Sequence, residues 1–173
     1  MTLESMPVAF MEALERDDVP AAAAVVNAMV PEDMPHDLAN FVRFRLAQLA
    51  VDPTSREWLG RLMVLTAPDG SRRVIGSVGF HGPPDPEGRV EIGYRVEPEH
   101  RRQGYAREAV TALFDWAHAT HGITRFVASI SPDNEPSLTL ASGLHFRKVG
   151  EQMDDIDGLE YVFETTWPRP VSD

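Results

Sequence analysis

Residues 90–109 read VEIGYRVEPEHRRQGYAREA, an alternating segment that passes through a basic, glycine-containing loop into a helical pattern. Val90, Ile92, Tyr94 and Val96 alternate with Glu91, Gly93 and Arg95, the period-two signature of a strand with one face toward a core. Glu91 and Arg95 therefore share the opposite face. Pro98 cannot donate to a ladder and biases Glu97 away from helical angles, so the strand ends there. Apolar residues then recur at helical spacing at Ala106, Ala109, Val110, Leu113, Trp116 and Ala117, which predicts a helix whose first turn rests on the loop. The start of a helix carries four backbone N–H groups without intrahelical partners and about half a positive charge. Arg101, Arg102 and Gly104 stand at its mouth. Guanidinium groups bind phosphate bidentately, glycine admits close backbone approach, and small Ala106 does not obstruct it. This chemistry describes a diphosphate cradle; a helix cap flanked by two surface arginines is the plainer alternative.

Upstream, residues 7–14 form a first strand or a helix, since both patterns compete there. Pro20 fits a first helical turn, and residues 21–30 carry strong helix formers up to Pro31. A second helix is predicted over residues 37–51, with Leu38, Phe41, Val42, Leu46, Leu49 and Ala50 as its apolar stripe and Pro53 closing it. Residues 58–66 and 73–80 read as two strands joined by a turn with Asp69-Gly70 at its centre. Gly76 and Gly79 inside the second run suggest a bulge or close packing. The turn-rich segment 81–88 then delivers the chain into the 90–96 strand, so three antiparallel strands precede the cradle.

Downstream, His121-Gly122 ends the long helix, and residues 124–130 form a short β-rich run in which Arg125, Val127 and Ser129 share one face. Strand, helix and strand in this order make a right-handed crossover with the two strands parallel. A helix follows over residues 135–142, with Pro136 in its first turn. Residues 144–151 and 159–167 pair as a terminal hairpin across an acidic link at 153–158, and residues 168–173 form a tail.

Composition narrows the function classes. A chain of 173 residues is one domain by the usual size prior and is long enough to bury a core without staples. It has no cysteine, which excludes disulfides, a thiol nucleophile and thiolate zinc sites. A net charge of −11 argues against a general nucleic-acid binder and favours a cationic or amine substrate, unless it serves solubility alone. No apolar run approaches the roughly 20 residues of a membrane span. The start MTLESMPVAF lacks the basic and apolar segments of a signal peptide, so the cytoplasm is the expected compartment. His36, His81, His100, His118 and His121 show no metal-ligand pattern, and no metal is expected.

The loop at Arg101, Gly104 and Ala106, set between a strand ending Gly93-Tyr94-Arg95-Val96 and a long amphipathic helix, resembles the acetyl-CoA loop of the GCN5-related N-acetyltransferase (GNAT) family. Asn134 and Ser137, followed by Leu138 and by Leu144-His145-Phe146, resemble the next motif of that family, in the form found in the subgroup that acetylates ribosomal-protein amino termini. The resemblance implies an α/β (α+β) fold: a mixed, centrally splayed sheet of about six to seven strands flanked by about four helices. It covers residues 7–167 of a single domain spanning residues 1–173, with the acetyl-CoA-binding core at about 90–146.

It further implies transfer of an acetyl group from acetyl-CoA to a primary amine, on a protein N-terminus or a small molecule, by direct attack in a ternary complex. Glu91 is then the candidate general base, acting directly or through water, with a raised pKa suiting it to take an ammonium proton; an exposed glutamate paired with Arg95 is the alternative. The backbone at Val96 would bond the pantetheine arm, and Arg101, Arg102, Gln103, Gly104, Tyr105 and Ala106 would line the pyrophosphate. Asn134 is a candidate cofactor contact or simply a helix cap, and Ser137 is a candidate acid for the departing thiolate. Two positions depart from the family pattern. Ala141 replaces a frequent tyrosine acid, and His145 replaces a glycine, either altering the turn or substituting for it at the surface. A monomer or homodimer is expected. Two rival classes remain, a catalytically silent acyl-CoA-binding module and a nucleotide-phosphate binding protein.

Overall fold

A computed structural model describes residues 1–154 and 158–168. The tail predicted at 168–173, beyond its first residue, and the centre of the acidic link, residues 155–157, lie outside the described residues. Along the chain run β1 (Thr2–Ser5), α1 (Val8–Glu15), α2 (Val19–Val26), α3 (Met34–Asp37), α4 (Ala39–Val51), β2 (Arg61–Thr66), β3 (Arg72–Phe80), β4 (Arg89–Val96), α5 (Tyr105–His121), β5 (Arg125–Ile130), α6 (Glu135–Gly143), β6 (Arg147–Asp154) and β7 (Gly158–Thr166). The seven strands form one mixed sheet in the order β1-β2-β3-β4-β5-β7-β6. Two compact units are distinguishable, one of residues Met1–Gly79 and Tyr94–Tyr105, the other of Phe80–Gly93 and the chain from Ala106 onward.

In the first unit, β1 pairs antiparallel with β2, from Thr2↔Val64 to Ser5↔Arg61. This strand was not legible in the sequence, because four residues with a polar, half-exposed face carry no alternation to read. The competing patterns at 7–14 resolve as the helix α1, which buries Phe10, Met11, Ala13 and Leu14 along one side. The helix expected over 21–30 is shorter. Asp18 caps α2 by accepting the Ala21 N–H at 3.0 Å, and Asn27 ends it in the left-handed region at φ 48°. Arg72 takes the freed Val26 and Asn27 carbonyls at 3.2 and 3.3 Å while gripping Glu4 at 2.5 and 2.6 Å. Met29 then forms a parallel bridge with Arg73.

The helix expected over 37–51 is α4, which starts at Ala39, and the separate short helix α3 ends just before it at Asp37. Of the predicted stripe, Leu38 and Val42 are buried, Phe41, Leu46 and Leu49 pack partly against the core, and Ala50 is exposed. Arg45 is buried instead, its guanidinium bonded to Gln48 at 2.9 Å and lying over the Phe41 and Phe44 rings. A charged head can be housed this way when its stem packs and its cation faces aromatic rings. Strands β2 and β3 pair antiparallel with a register shift at Met63/Val64, so the bulge inferred from Gly76 is present. A Cβ on Gly76 would collide with the Arg95 carbonyl oxygen, and one on Gly79 would fall 2.8 Å from the Gly60 backbone. Both glycines are there for close approach.

In the second unit, β4 and β5 are parallel over Arg89↔Arg125, Val90↔Phe126 and Glu91↔Val127, with α5 as the crossover. Strand β5 continues antiparallel to β7, and β7 to β6. The core of this unit is aromatic. Phe114 of α5 stacks on Phe126 of β5 at 3.9 Å between ring centroids, and Phe80, Phe146 and Trp167 close around the pair. Arg89 ties the strand to its surroundings through Asp85, Glu87 and Glu164. The Asp85 and Glu164 carboxyls both sit below the ordinary carboxylate range; burial pushes Asp85 up, but its bonds with Arg89 outweigh it, and at Glu164 the Arg89 bond leads. Phe114 is fully buried, so Phe114→Ala should lower unfolding stability by about 3–5 kcal/mol in urea titration. A loss below about 1 kcal/mol would place the core elsewhere.

Candidate functional site

The first unit carries the loop that follows β4. The Glu97 N–H donates to the Ile75 carbonyl at 2.9 Å, and a 3-10 turn at Pro98–His100 reverses the chain. Arg101 Nε then donates to the Val96 carbonyl at 2.9 Å, and Gln103 Nε2 to the Glu99 carbonyl at 3.2 Å. Arg102 and Gly104 both adopt left-handed backbone, φ 60° and 87°. Gly104 has open space where a Cβ would stand, so its role is conformational and leaves room for a ligand. Arg101, Arg102, Gln103 and Gly104 are exposed, and Tyr105 and Ala106, half-buried, open the seventeen-residue helix α5. Alternating left-handed residues before a helix start are the backbone type that makes an anion concavity. Within the Val96 backbone expected to bond a pantetheine arm, the carbonyl accepts from Arg101 Nε.

A charged cluster below this loop was not foreseen. Arg95 pairs with Asp37, and its Nε lies 3.8 Å from Glu97 Oε1. Glu97 is only 6% exposed, and its Oε1, Arg95 Nε and His100 Nδ1 are buried without hydrogen-bond partners. Burial pushes the Glu97 carboxyl up, Arg95 opposes it, Asp37 reinforces it, and Arg101 and His100 oppose it more weakly; the balance lies above the ordinary value. An acid raised in the fold costs stability as pH climbs from its unfolded pKa, about 4.3, through the folded value, and the cost persists above. Glu97→Gln should therefore melt at or above the wild-type temperature at pH 7.5, with the gap closing as pH falls through that window. A lower melting temperature at pH 7.5 would contradict this account.

The second unit holds the pocket at Glu91. It measures about 370 Å³ and is lined by His81, Gly82, Pro83, Asp85, Arg89, Glu91, Val127, Ser129, Gln152 and Val162. Glu91 Oε2 lies 3.6 Å from His81 Nδ1, and the His81 N–H donates to the Glu91 carbonyl at 2.8 Å. Gln152 Nε2 bonds Ser129 Oγ at 3.1 Å and Glu160 at 3.0 Å. Two sequence expectations are corrected. Glu91 is partnered by His81 and Ser129, while the Arg95 ion pair goes to Asp37. Its pKa is also lowered, not raised. Burial is the largest single influence and pushes it up, but the hydrogen bond and charge of His81 and the bonds from Ser129 together prevail.

At the start of α6, Asn134 Oδ1 accepts the Ser137 N–H at 3.2 Å, so the cap is real; Asn134 is exposed and Ser137 half-buried. Ala141 is buried, its carbonyl accepting from Leu144 and Phe146. His145 is exposed at φ 60°. It thus keeps the left-handed turn that glycine would supply.

Of the predicted residues, the structure joins Val96 to Arg101 and Asn134 to Ser137, and surrounds Glu91 with residues not predicted. His81 was readable only through hairpin register, which sets it across from Glu91. Ser129 lay on the Val127 face that the sequence did mark, and that face turns to the pocket. Glu97 gave no signal, because it follows an ordinary alternation into Pro98.

Sheet order, crossover and loop together define an acetyltransferase of the GNAT class. The family model described as the acetyltransferase (GNAT) domain matches residues 10–147, and the chain belongs to that family, a class of N-acetyltransferases. Among curated proteins it is similar to p20 of Bacillus licheniformis, an uncharacterized N-acetyltransferase, at 39% identity over 77 residues, covering 44% of this chain and 43% of p20. The match therefore spans less than half the length of that relative. Among solved structures it is similar to the microcin C7 self-immunity acetyltransferase MccE in complex with acetyl-CoA and AMP, with TM-score 0.64, 19% identity, and coverage of 95% and 91%. It is also similar to a ribosomal-protein-S5-alanine acetyltransferase from Vibrio fischeri, with TM-score 0.55, 21% identity, and coverage of 76% and 72%. These structures share its fold. No helix among the described residues is long and apolar enough to cross a membrane.

Proposed function

We propose that this chain is an acetyl-CoA-dependent N-acetyltransferase that moves the acetyl group to a primary amine, on a protein N-terminus or a small molecule, by direct attack in a ternary complex. The observation that carries the reading is the loop itself: two exposed arginines and an unobstructed, left-handed Gly104 lead directly into a seventeen-residue helix. A diphosphate fits this donor set, since it needs backbone N–H groups, guanidinium charge and room. Arg101, Arg102, Gln103, Gly104, Tyr105 and Ala106 would hold the pyrophosphate of acetyl-CoA. The backbone at Val96 and the side chain of Asn134 would meet the pantetheine arm, Asn134 keeping its cap to Ser137.

Amide formation requires the acceptor ammonium to lose a proton, its nitrogen to attack the thioester carbon, and the departing sulfur to gain a proton. Glu91 anchors the proton-accepting end, as the carboxylate of a pocket that is open to solvent and lined by several polar groups. Ser137 or water supplies the acid, since Ala141 has no ionisable group. An acceptor that arrives as a cation suits the net charge of −11. The kinship with GNAT proteins supports the reaction type, and the amine is identified only as a class.

A second reading, a catalytically silent acyl-CoA-binding module, has the buried Ala141 in its favour. Turnover separates the two. Free-thiol release from acetyl-CoA should be measured across peptides with free amino termini and small diamines, for wild type and Glu91→Gln. Release with at least one amine, falling about 10²-fold or more in the variant, is the expected result. Acetyl-CoA binding without release from any amine would favour the silent module.

A further inference from the structure

The pocket of the second unit contains one titratable base that nothing so far has used. His81 sits at the end of β3, with its backbone N–H bonded to the Glu91 carbonyl at 2.8 Å and its Nδ1 3.6 Å from the Glu91 carboxylate. Its ring extends along β4 to residue 93, where a Cβ would lie 2.8 Å from Nε2 and 3.3 Å from Cδ2. Glycine at 93 is what leaves the ring its seat. The histidine side chain is 51% exposed and the glutamate 31%, so the imidazole is the more accessible member of the pair.

We propose that His81, held through Nδ1 by Glu91, is the group that takes the proton from the acceptor ammonium, and that Glu91 is its positioning partner. The proposal rests on the acetyltransferase reading above. A carboxylate bonded to His81 and Ser129 is a poor proton sink at neutral pH, whereas an imidazole beside an anion is matched to that task. The other charged groups lining the pocket are Asp85 and Arg89. They neutralise one another through a 2.8 Å bond, and Arg89 also binds Glu164. Gln152 is neutral and bonded to Ser129 and Glu160, leaving the Glu91 carboxylate as the charge that faces the imidazole.

In the step, an ammonium N–H proton passes to His81 Nε2, and the freed nitrogen lone pair forms the C–N bond to the thioester carbon. Collapse breaks the C–S bond, the second proton on nitrogen goes to the leaving sulfur, and the imidazolium returns its proton to solvent. The products are amide, thiol and one released proton, which balances the ammonium and thioester consumed.

The test is the pH profile of kcat/KM for wild type, His81→Gln, His81→Ala and Glu91→Gln, with acetyl-CoA affinity and melting temperature measured alongside. Wild type should show an acidic limb governed by a single titrating group. His81→Gln should lose about 10²-fold or more at pH 7, lose that limb, and regain rate at high pH where the amine is already neutral. Its acetyl-CoA affinity and melting temperature should match wild type, and added imidazole should restore part of the His81→Ala rate. Glu91→Gln should keep the limb at a reduced rate, because Glu91 positions the imidazole and does not itself take the proton. An unchanged limb and rate in His81→Gln would overturn the proposal while leaving the acetyltransferase reading intact. Absence of thiol release by wild type with any amine would overturn both.

Discussion

The constraint on which the rest depends is the alternation of β4. Burying Val90, Ile92 and Val96 leaves Glu91, Arg95 and Glu97 no choice but the other face, because consecutive strand residues point to opposite sides. Each then finds a different solution. Glu91 is met by His81 and Ser129, Arg95 by Asp37, and Glu97 is enclosed with one oxygen unmet. The strand and the residue that follows it thereby present one carboxylate held below its ordinary pKa and another held above it. The difference comes from hydrogen-bond supply, since burial pushes both the same way.

The same strand hands the chain to the loop proposed to seat a diphosphate. Pro98 stops the ladder, Arg101 folds back on the Val96 carbonyl, and left-handed Arg102 and Gly104 turn the backbone into α5. Positive charge is thus concentrated locally in a chain whose net charge is −11. Left-handed backbone beside two arginines at a helix start is the arrangement that the proposed diphosphate seat requires.

Long periodic elements were legible in the sequence. Helix α5, strand β4, the β4-α5-β5 crossover and the Asn134 cap all follow from spacing and punctuation. Short elements were not. Strand β1 has four residues and no alternating face, and the shortening of α2 depends on Arg72, 45 and 46 positions away, capturing its last carbonyls. The site divides in the same way. The loop's turn and helix start were legible because they are contiguous in sequence. The surroundings of Glu91 come from a turn, β5, β6 and β7, and the reversal of its expected pKa depends on partners that only tertiary structure supplies.

The central claim is that the loop at 101–106 seats acetyl-CoA, and calorimetric titration of acetyl-CoA into wild type and Gly104→Val tests it most directly. Left-handed backbone at 104 disfavours a β-branched residue. Saturable one-site binding by wild type, weakened about tenfold or more in the variant with little change in the heat capacity of the folded protein, is the predicted result. No heat of binding at millimolar acetyl-CoA, or equal affinity in both proteins, would contradict it.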